Sequence, residues 1–249
     1  MEDLIPNDGN GLDYAILESL NSHGEPMGSG TLHYALRKQG STPSVPTIGR
    51  KLRDLEQRGL VAKVSVEGRI LTTAGQKMLK TLQQERQREL SGERLLKLLR
   101  RTGRKDIIDQ LNSRRLIEGE ACALAAEHAT PEQIMRLEEL VREAREMVSL
   151  GEMGVKQDTD FHDLIAEASG NSVLAAIVAI LRSQAWLNSI IAAIRARVGT
   201  RLVVDHDDVI RAIRERNPGQ ARQAMENHMT RLISDVDHYW EQVFSHDHR

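Results

Sequence analysis

Four residues in the second half of the chain have the types and spacing of a metal site: Asp158, His162, His206 and His228. Asp158 and His162 stand four apart within QDTDFHDLIAEASGN, which puts both side chains on one face of the expected helix. His206 opens a second helical pattern, DHDDVIRAIRERN, and His228 lies inside a third, GQARQAMENHMTRLI. One carboxylate with three imidazoles suits a divalent transition metal, zinc or nickel before others. Asp160 is the alternative to Asp158, but it is offset from His162 by two residues and faces another side of the helix. The remaining histidines, at 23, 33, 128, 238, 246 and 248, read as ordinary surface or core residues.

Holding four such side chains together takes a rigid scaffold, and composition indicates which kind. The chain has 249 residues, enough for two domains, with 28% charged and only 3% aromatic residues. That balance favours helical packing over a β-rich core. From 106 to 245 the pattern is helical throughout, over 106–128, 131–149, 155–169, 172–198, 202–216 and 218–244, with stops at Gly151, Gly170, Gly199 and Asn217-Pro218. Thr130-Pro131 fits an N-cap followed by proline at the first helical position. The expectation is an all-α bundle without strands. The single cysteine, Cys122, excludes a disulfide framework and fits a reducing compartment. In the Ala-rich ACALAA it reads as a small buried filler rather than a nucleophile. The start, MEDLIPNDGNG, has no apolar stretch of the signal-peptide kind, and the run VLAAIVAIL at 173–181 is too short to span a bilayer. A cytoplasmic protein with no membrane partner is expected, with a disordered SHDHR tail.

The first third differs in charge. Residues 28–101 carry 16 Lys or Arg against 6 Asp or Glu, while the remainder carries 18 against 30. A basic module ahead of an acidic body points to an anionic partner, nucleic acid above all. Helical patterns at 12–24 and 28–40 precede a third, capped by Ser44, with Ile48, Leu52 and Leu55 inward and a stop at Gly59. VAKVSVEGRILTT then alternates and turns at Glu67-Gly68, the signature of a hairpin. These are the parts of a winged helix-turn-helix, in which the third helix enters the major groove and the hairpin touches the backbone. Thr47, Arg50, Lys51 and Arg53 are the DNA-contacting candidates on that helix, and Lys63 and Arg69 those on the hairpin. A polar helix is expected over 73–90, then a basic amphipathic segment over 91–105 with a break at Gly103. The domains are read as 1–75, a linker at 76–105, and 106–245, the boundary falling between 80 and 105.

GEPMGSGTLHYALRKQG, VPTIGRKLRDLEQRGLV and the closing LTTAGQKML resemble the winged-helix domain at the N-terminus of some ribonuclease R proteins and nitrogen-regulatory repressors, over about 65 residues. They lack the Pro-Ser-Glu start and the Arg-Glu-Ala-Leu recognition segment of the usual GntR reader. SRRLIEGEACALAAEHAT, DTDFHDLIAEASGN and HDDVIRAIRERNPGQARQAMENHM resemble the FCD (FadR C-terminal) ligand-binding domain of GntR-superfamily regulators, over about 140 residues. The resemblance implies an antiparallel helical bundle. Its metal-binding members use an Asp and three His, which match Asp158, His162, His206 and His228. The family's arginine near the start of the first block matches Arg114, and the Asn after its helix-breaking Gly matches Asn171. Both are implied as effector-binding residues, with metal positions left open for a small carboxylate.

The reading is a dimeric transcriptional regulator, a repressor first, that binds a double-stranded operator and answers a small organic acid. Dimerisation is expected because paired readers on a two-fold axis recognise palindromic half-sites. Two alternatives compete: a metal-dependent hydrolase using metal-bound water, and a structural metal that only staples the bundle.

Overall fold

The computed structural model describes residues 9–64, 68–198 and 206–244. They form two compact units, Met1–Arg94 and Leu95–Arg249.

The first unit is built from α1 (Gly9–His23), α2 (Ser29–Lys38), α3 (Val45–Gln57), β1 (Val61–Val64), β2 (Gly68–Leu71) and the beginning of α4 (Thr73–Leu99). Ile16, Leu17, Leu32, Leu36, Ile48, Leu52 and Leu55 fill its core. α3 starts where the sequence indicates: the Ser44 hydroxyl accepts from Thr47 N at 3.3 Å, and Pro46 sits in the first turn, where no helical donor is lost. The strands pair antiparallel, Val61 with Leu71 and Lys63 with Arg69. Met27 and Arg69 also exchange two backbone hydrogen bonds of 3.0 Å, so the wing is laid against the chain entering α2. Gly68 makes that approach possible. Its φ is +142°, and a Cβ there would stand 2.4 Å from the Met27 carbonyl carbon. The expected turn residue Glu67 lies outside the described residues. α4 differs from expectation by running unbroken through Ser91-Gly92 to Leu99, so the polar helix and the basic segment are one rod.

The second unit comprises α5 (Arg104–His128), α6 (Pro131–Ser149), α7 (Val155–Ala168), α8 (Ser172–Arg182), α9 (Ala185–Val198), α10 (His206–Arg214) and α11 (Pro218–Phe244). α5 and α11 form its spine, α7, α8, α9 and α10 pack against that spine, and α6 packs on α7 and α10. Leu111, Ala121, Cys122, Leu137, Phe161, Ile165, Ile213, Met225 and Met229 are core residues. Thr130 and Gln133 form a reciprocal capping box at the start of α6. Both described strands lie in the first unit, so the second is helical among the described residues.

One element is a correction. The continuous helix expected over 172–198 is two helices, α8 and α9, bent by 69° at Ser183-Gln184. No glycine or proline marks the break. Side chains stabilise it instead: the Asn188 amide donates to Arg182 O at 3.1 Å, and the Ser183 hydroxyl donates to Ile180 O at 2.8 Å. Such local bonds satisfy carbonyls that a continuing helix would use. No single described helix is long and apolar enough to cross a membrane. The helix start expected at 202 and the SHDHR tail lie outside the described residues.

Candidate metal centre and DNA interface

α7 carries Asp158 and His162 one turn apart on its inner face, α10 begins at His206, and α11 supplies His228. The helical crossing brings all four together, with one ligand-type atom from each within 4.8 Å of the others. The three imidazoles are buried, at 1–2% exposure. His206 stacks on Phe161 with ring centroids 4.2 Å apart, and its ring centroid is 4.8 Å from that of His228. Asp158 Oδ1 stands 3.5 Å from His206 Nε2 and 3.8 Å from His162 Nε2. Asp158 Oδ1 and His162 Nε2 are buried and accept or donate no hydrogen bond. Buried polar atoms without partners are costly, and these belong to a carboxylate and an imidazole aimed at a common point. The donor set fits a divalent transition metal. Asp160, by contrast, pairs with Lys156 and takes no part.

Charges not singled out in the sequence surround this set. Glu118, on α5, is 2% exposed. Its Oε1 accepts from Arg114 Nε at 2.7 Å, its Oε2 stands 2.6 Å from His162 Nδ1, and Arg182 Nη1 reaches both oxygens at 3.4 Å. Arg182 Nη2 also donates to Asp158 Oδ2 at 2.7 Å. Burial opposes ionisation of Glu118, yet Arg114 and His162 beside it bring its carboxyl down to about 2. Burial pushes Asp158 up from the usual carboxylate range, with His162 and Arg114 pulling against it. Burial holds His228 well below the ordinary imidazole value, helped by the charges of His162 and Arg195. His228 is therefore neutral near neutral pH, the form that binds metal.

Beside the cluster lies a cavity lined by Arg114, Asp158, Asn188, Arg195, His228 and Leu232 among others, of about 10 Å³, room for about one water. Arg114 faces it and has one guanidinium nitrogen, Nη1, with no hydrogen-bond partner. Asn171, expected as an effector residue, is not among the residues lining it. Its carboxamide oxygen accepts from Val173 N and Leu174 N, both at 3.1 Å, which makes it the N-cap of α8. Arg195 and Asn188 are cavity residues that sequence reasoning missed.

In the winged helix, Arg50, Arg53 and Lys63 are exposed and Thr47 is half-buried beside Ser44. Lys51 and Arg69 are committed elsewhere. Lys51 pairs with Asp13 of α1 at 2.8 Å, and Arg69 pairs with Glu56 of α3 at 2.7 Å. Their charges brace α3 and the wing within the domain. The exposed candidates are Arg50, Arg53 and Lys63.

Residues 109–231 match the FCD domain, and residues 14–79 match the ribonuclease R winged-helix domain. The chain is 28% identical over 142 residues to the Uxu operon regulator of Haemophilus influenzae, which covers 51% of this chain and 52% of that protein. It is 32% identical over 125 residues to the HTH-type transcriptional repressor NanR of Salmonella newport, covering 47% of this chain and 45% of the other. The chain thus spans about half the length of these curated relatives. Among solved structures it is similar to E. coli McbR/YncC, with a TM-score of 0.50 and 15% identity over 93% of this chain and 95% of that one, a likeness of fold. These relatives are named as regulators.

Proposed function

Because the chain joins a winged-helix domain to an FCD domain, we propose that it is a cytoplasmic, homodimeric transcriptional repressor of the GntR kind. In this reading Asp158, His162, His206 and His228 hold a divalent transition metal, zinc or nickel, and a small organic acid is the effector. The observation that carries the reading is the convergence of one carboxylate and three buried imidazoles from three helices, in a chain that also presents an exposed basic helix. The names of the relatives support the regulatory role.

The metal would supply a Lewis-acid position for a carboxylate. The chain's own residues do the rest. Arg114 and Arg195 offer guanidinium groups at the cavity wall, suited to pairing an anionic group bidentately. Asn188 and Ile191 bring α9 to the same wall. The cavity is too small for an organic acid at rest, so entry displaces side chains on α9 or α11. That displacement is the event transmitted to the reader, and α4 is the covalent path. At the other end Arg50 and Arg53 read base edges or phosphates, and Thr47 and Lys63 hold the backbone.

The test is fluorescence anisotropy of a DNA duplex taken from upstream of the coding sequence, with metal-loaded protein and a panel of hydroxy acids, dicarboxylates and sugar acids. Binding that falls steeply with salt and is released by one acid supports the reading. No binding at low salt, or binding indifferent to every acid and to chelation, contradicts it.

A further inference from the structure

α5 supplies none of the four ligands, yet it places a fully buried carboxylate against them. Ionised groups are retained in a core only when partnered, and an apolar residue of the same size would serve packing as well. We propose that Glu118 is the positioning residue of the metal centre: it orients His162 directly and Asp158 through Arg182. This inference rests on the metal reading above.

The geometry divides the work between the two oxygens. Oε2 engages His162 Nδ1 at 2.6 Å. A carboxylate at that distance favours the tautomer protonated at Nδ1, which leaves the lone pair on Nε2, 3.8 Å from Asp158 Oδ1. Oε1 is held by Arg114 Nε at 2.7 Å, one helical turn earlier, which fixes the Glu118 rotamer. Arg182 straddles both oxygens with Nη1 and fastens Asp158 Oδ2 with Nη2 at 2.7 Å. Asp158 is thereby left with Oδ1 turned to the histidines. One carboxylate on α5 thus sets the direction of both α7 ligands. Arg182 ends α8, where the chain bends, so the same bridge ties the centre to the α8–α9 corner.

The experiment uses the full chain and cobalt(II) as the probe, with affinity read by competition against a chelator and coordination read by visible d–d absorption. Glu118→Gln keeps the size but loses the acceptor charge, Glu118→Asp keeps the charge, and Arg182→Lys keeps the cation but cannot span both carboxylates. Circular dichroism establishes which variants fold. Glu118→Gln is expected to weaken cobalt roughly 10- to 100-fold and to change the absorption bands. Glu118→Asp should recover most of both, and Arg182→Lys should lie between. A cobalt affinity unchanged in Glu118→Gln overturns the proposal. So does weaker binding with unaltered bands, since loss of nearby negative charge alone would produce it. If Glu118→Gln does not fold, Arg182→Lys decides: parent-like affinity and bands overturn the proposal. A parent chain that binds no cobalt removes the metal reading itself and this inference with it.

Discussion

In the winged-helix unit the basic side chains stand outside an apolar core, whereas in the helical unit three arginines, a glutamate and three histidines lie inside it. Asp13 and Ser19 are the buried polar residues described in the first core; Asp13 is answered by Lys51 and Arg58 at its edge. The second core contains Arg114, Glu118, His162, Arg182, Arg195, His206 and His228. Charge on a surface is inexpensive and serves long-range attraction and contact with phosphates. Charge in a core costs several kcal/mol per ion unless partnered. The contrast accords with the proposed functions: a polyanion reader in the first unit and a small polar site in the second.

Variants sharpen this contrast. The largest expected effect is in the buried network. Arg182→Met removes the cation shared by Asp158 and Glu118 and should cost about 3–5 kcal/mol, read as a lowered denaturation midpoint at unchanged slope. A near-neutral result would mean the buried charges are not mutually dependent, and the contrast would lose its energetic basis. Gly68→Ala tests the first unit in the same currency. A side chain there meets the Met27 backbone at a positive φ, and the expected cost is about 1–3 kcal/mol. It should lower the salt-dependent DNA affinity by displacing the wing while leaving metal content untouched.

Arg50→Ala with Arg53→Ala should change stability by no more than about 0.5 kcal/mol, because both are exposed. Operator affinity should fall by about 1–3 kcal/mol for each lost base contact, with a shallower salt slope. Lys51→Ala is the counter-case: its loss should appear first as stability, through Asp13. Asn171→Ala should cost about 0.5–2 kcal/mol as a lost cap and leave the response to any acid unchanged. The smallest effect concerns Cys122, whose thiol burial pushes well above the usual range. Its thiolate is absent at pH 8, so alkylation of the folded chain should be negligible and become rapid on unfolding. Fast labelling of native protein would mean this part of the helical core opens.

The same contrast explains what the sequence made legible. Exposed positions follow local rules, and the Ser44 cap and the placement of Thr47 and Arg50 in the first turns of α3 can be read from cap and helix spacing. The Asp158–His162 pair is legible because four-residue spacing is local, and the block resemblance adds His206 and His228. Glu118 and Arg182 were passed over because a charged residue on a helix ordinarily faces water. Their burial depends on α7 and α8 crossing α5, 40 to 64 residues away. The ion pairs of Lys51 and Arg69 are illegible for the converse reason: residue type indicates a cation, but not that Asp13 or Glu56 will engage it. The α8–α9 bend carries no Gly or Pro and is held by the Asn188 side chain reaching back six residues, which periodicity does not register.

The central claim is that the buried histidines of the helical unit exist to hold a metal. The most direct test is elemental analysis of the untagged full chain at pH 7.5 and again after dialysis near pH 5, beside His206→Ala. The account predicts about one divalent transition metal per chain at the higher pH, lost at the lower pH as protons compete with the metal for its ligands. It predicts weakened binding in the variant with the helical fold retained. A chain that carries no metal, and takes up neither zinc nor nickel at neutral pH, would contradict it.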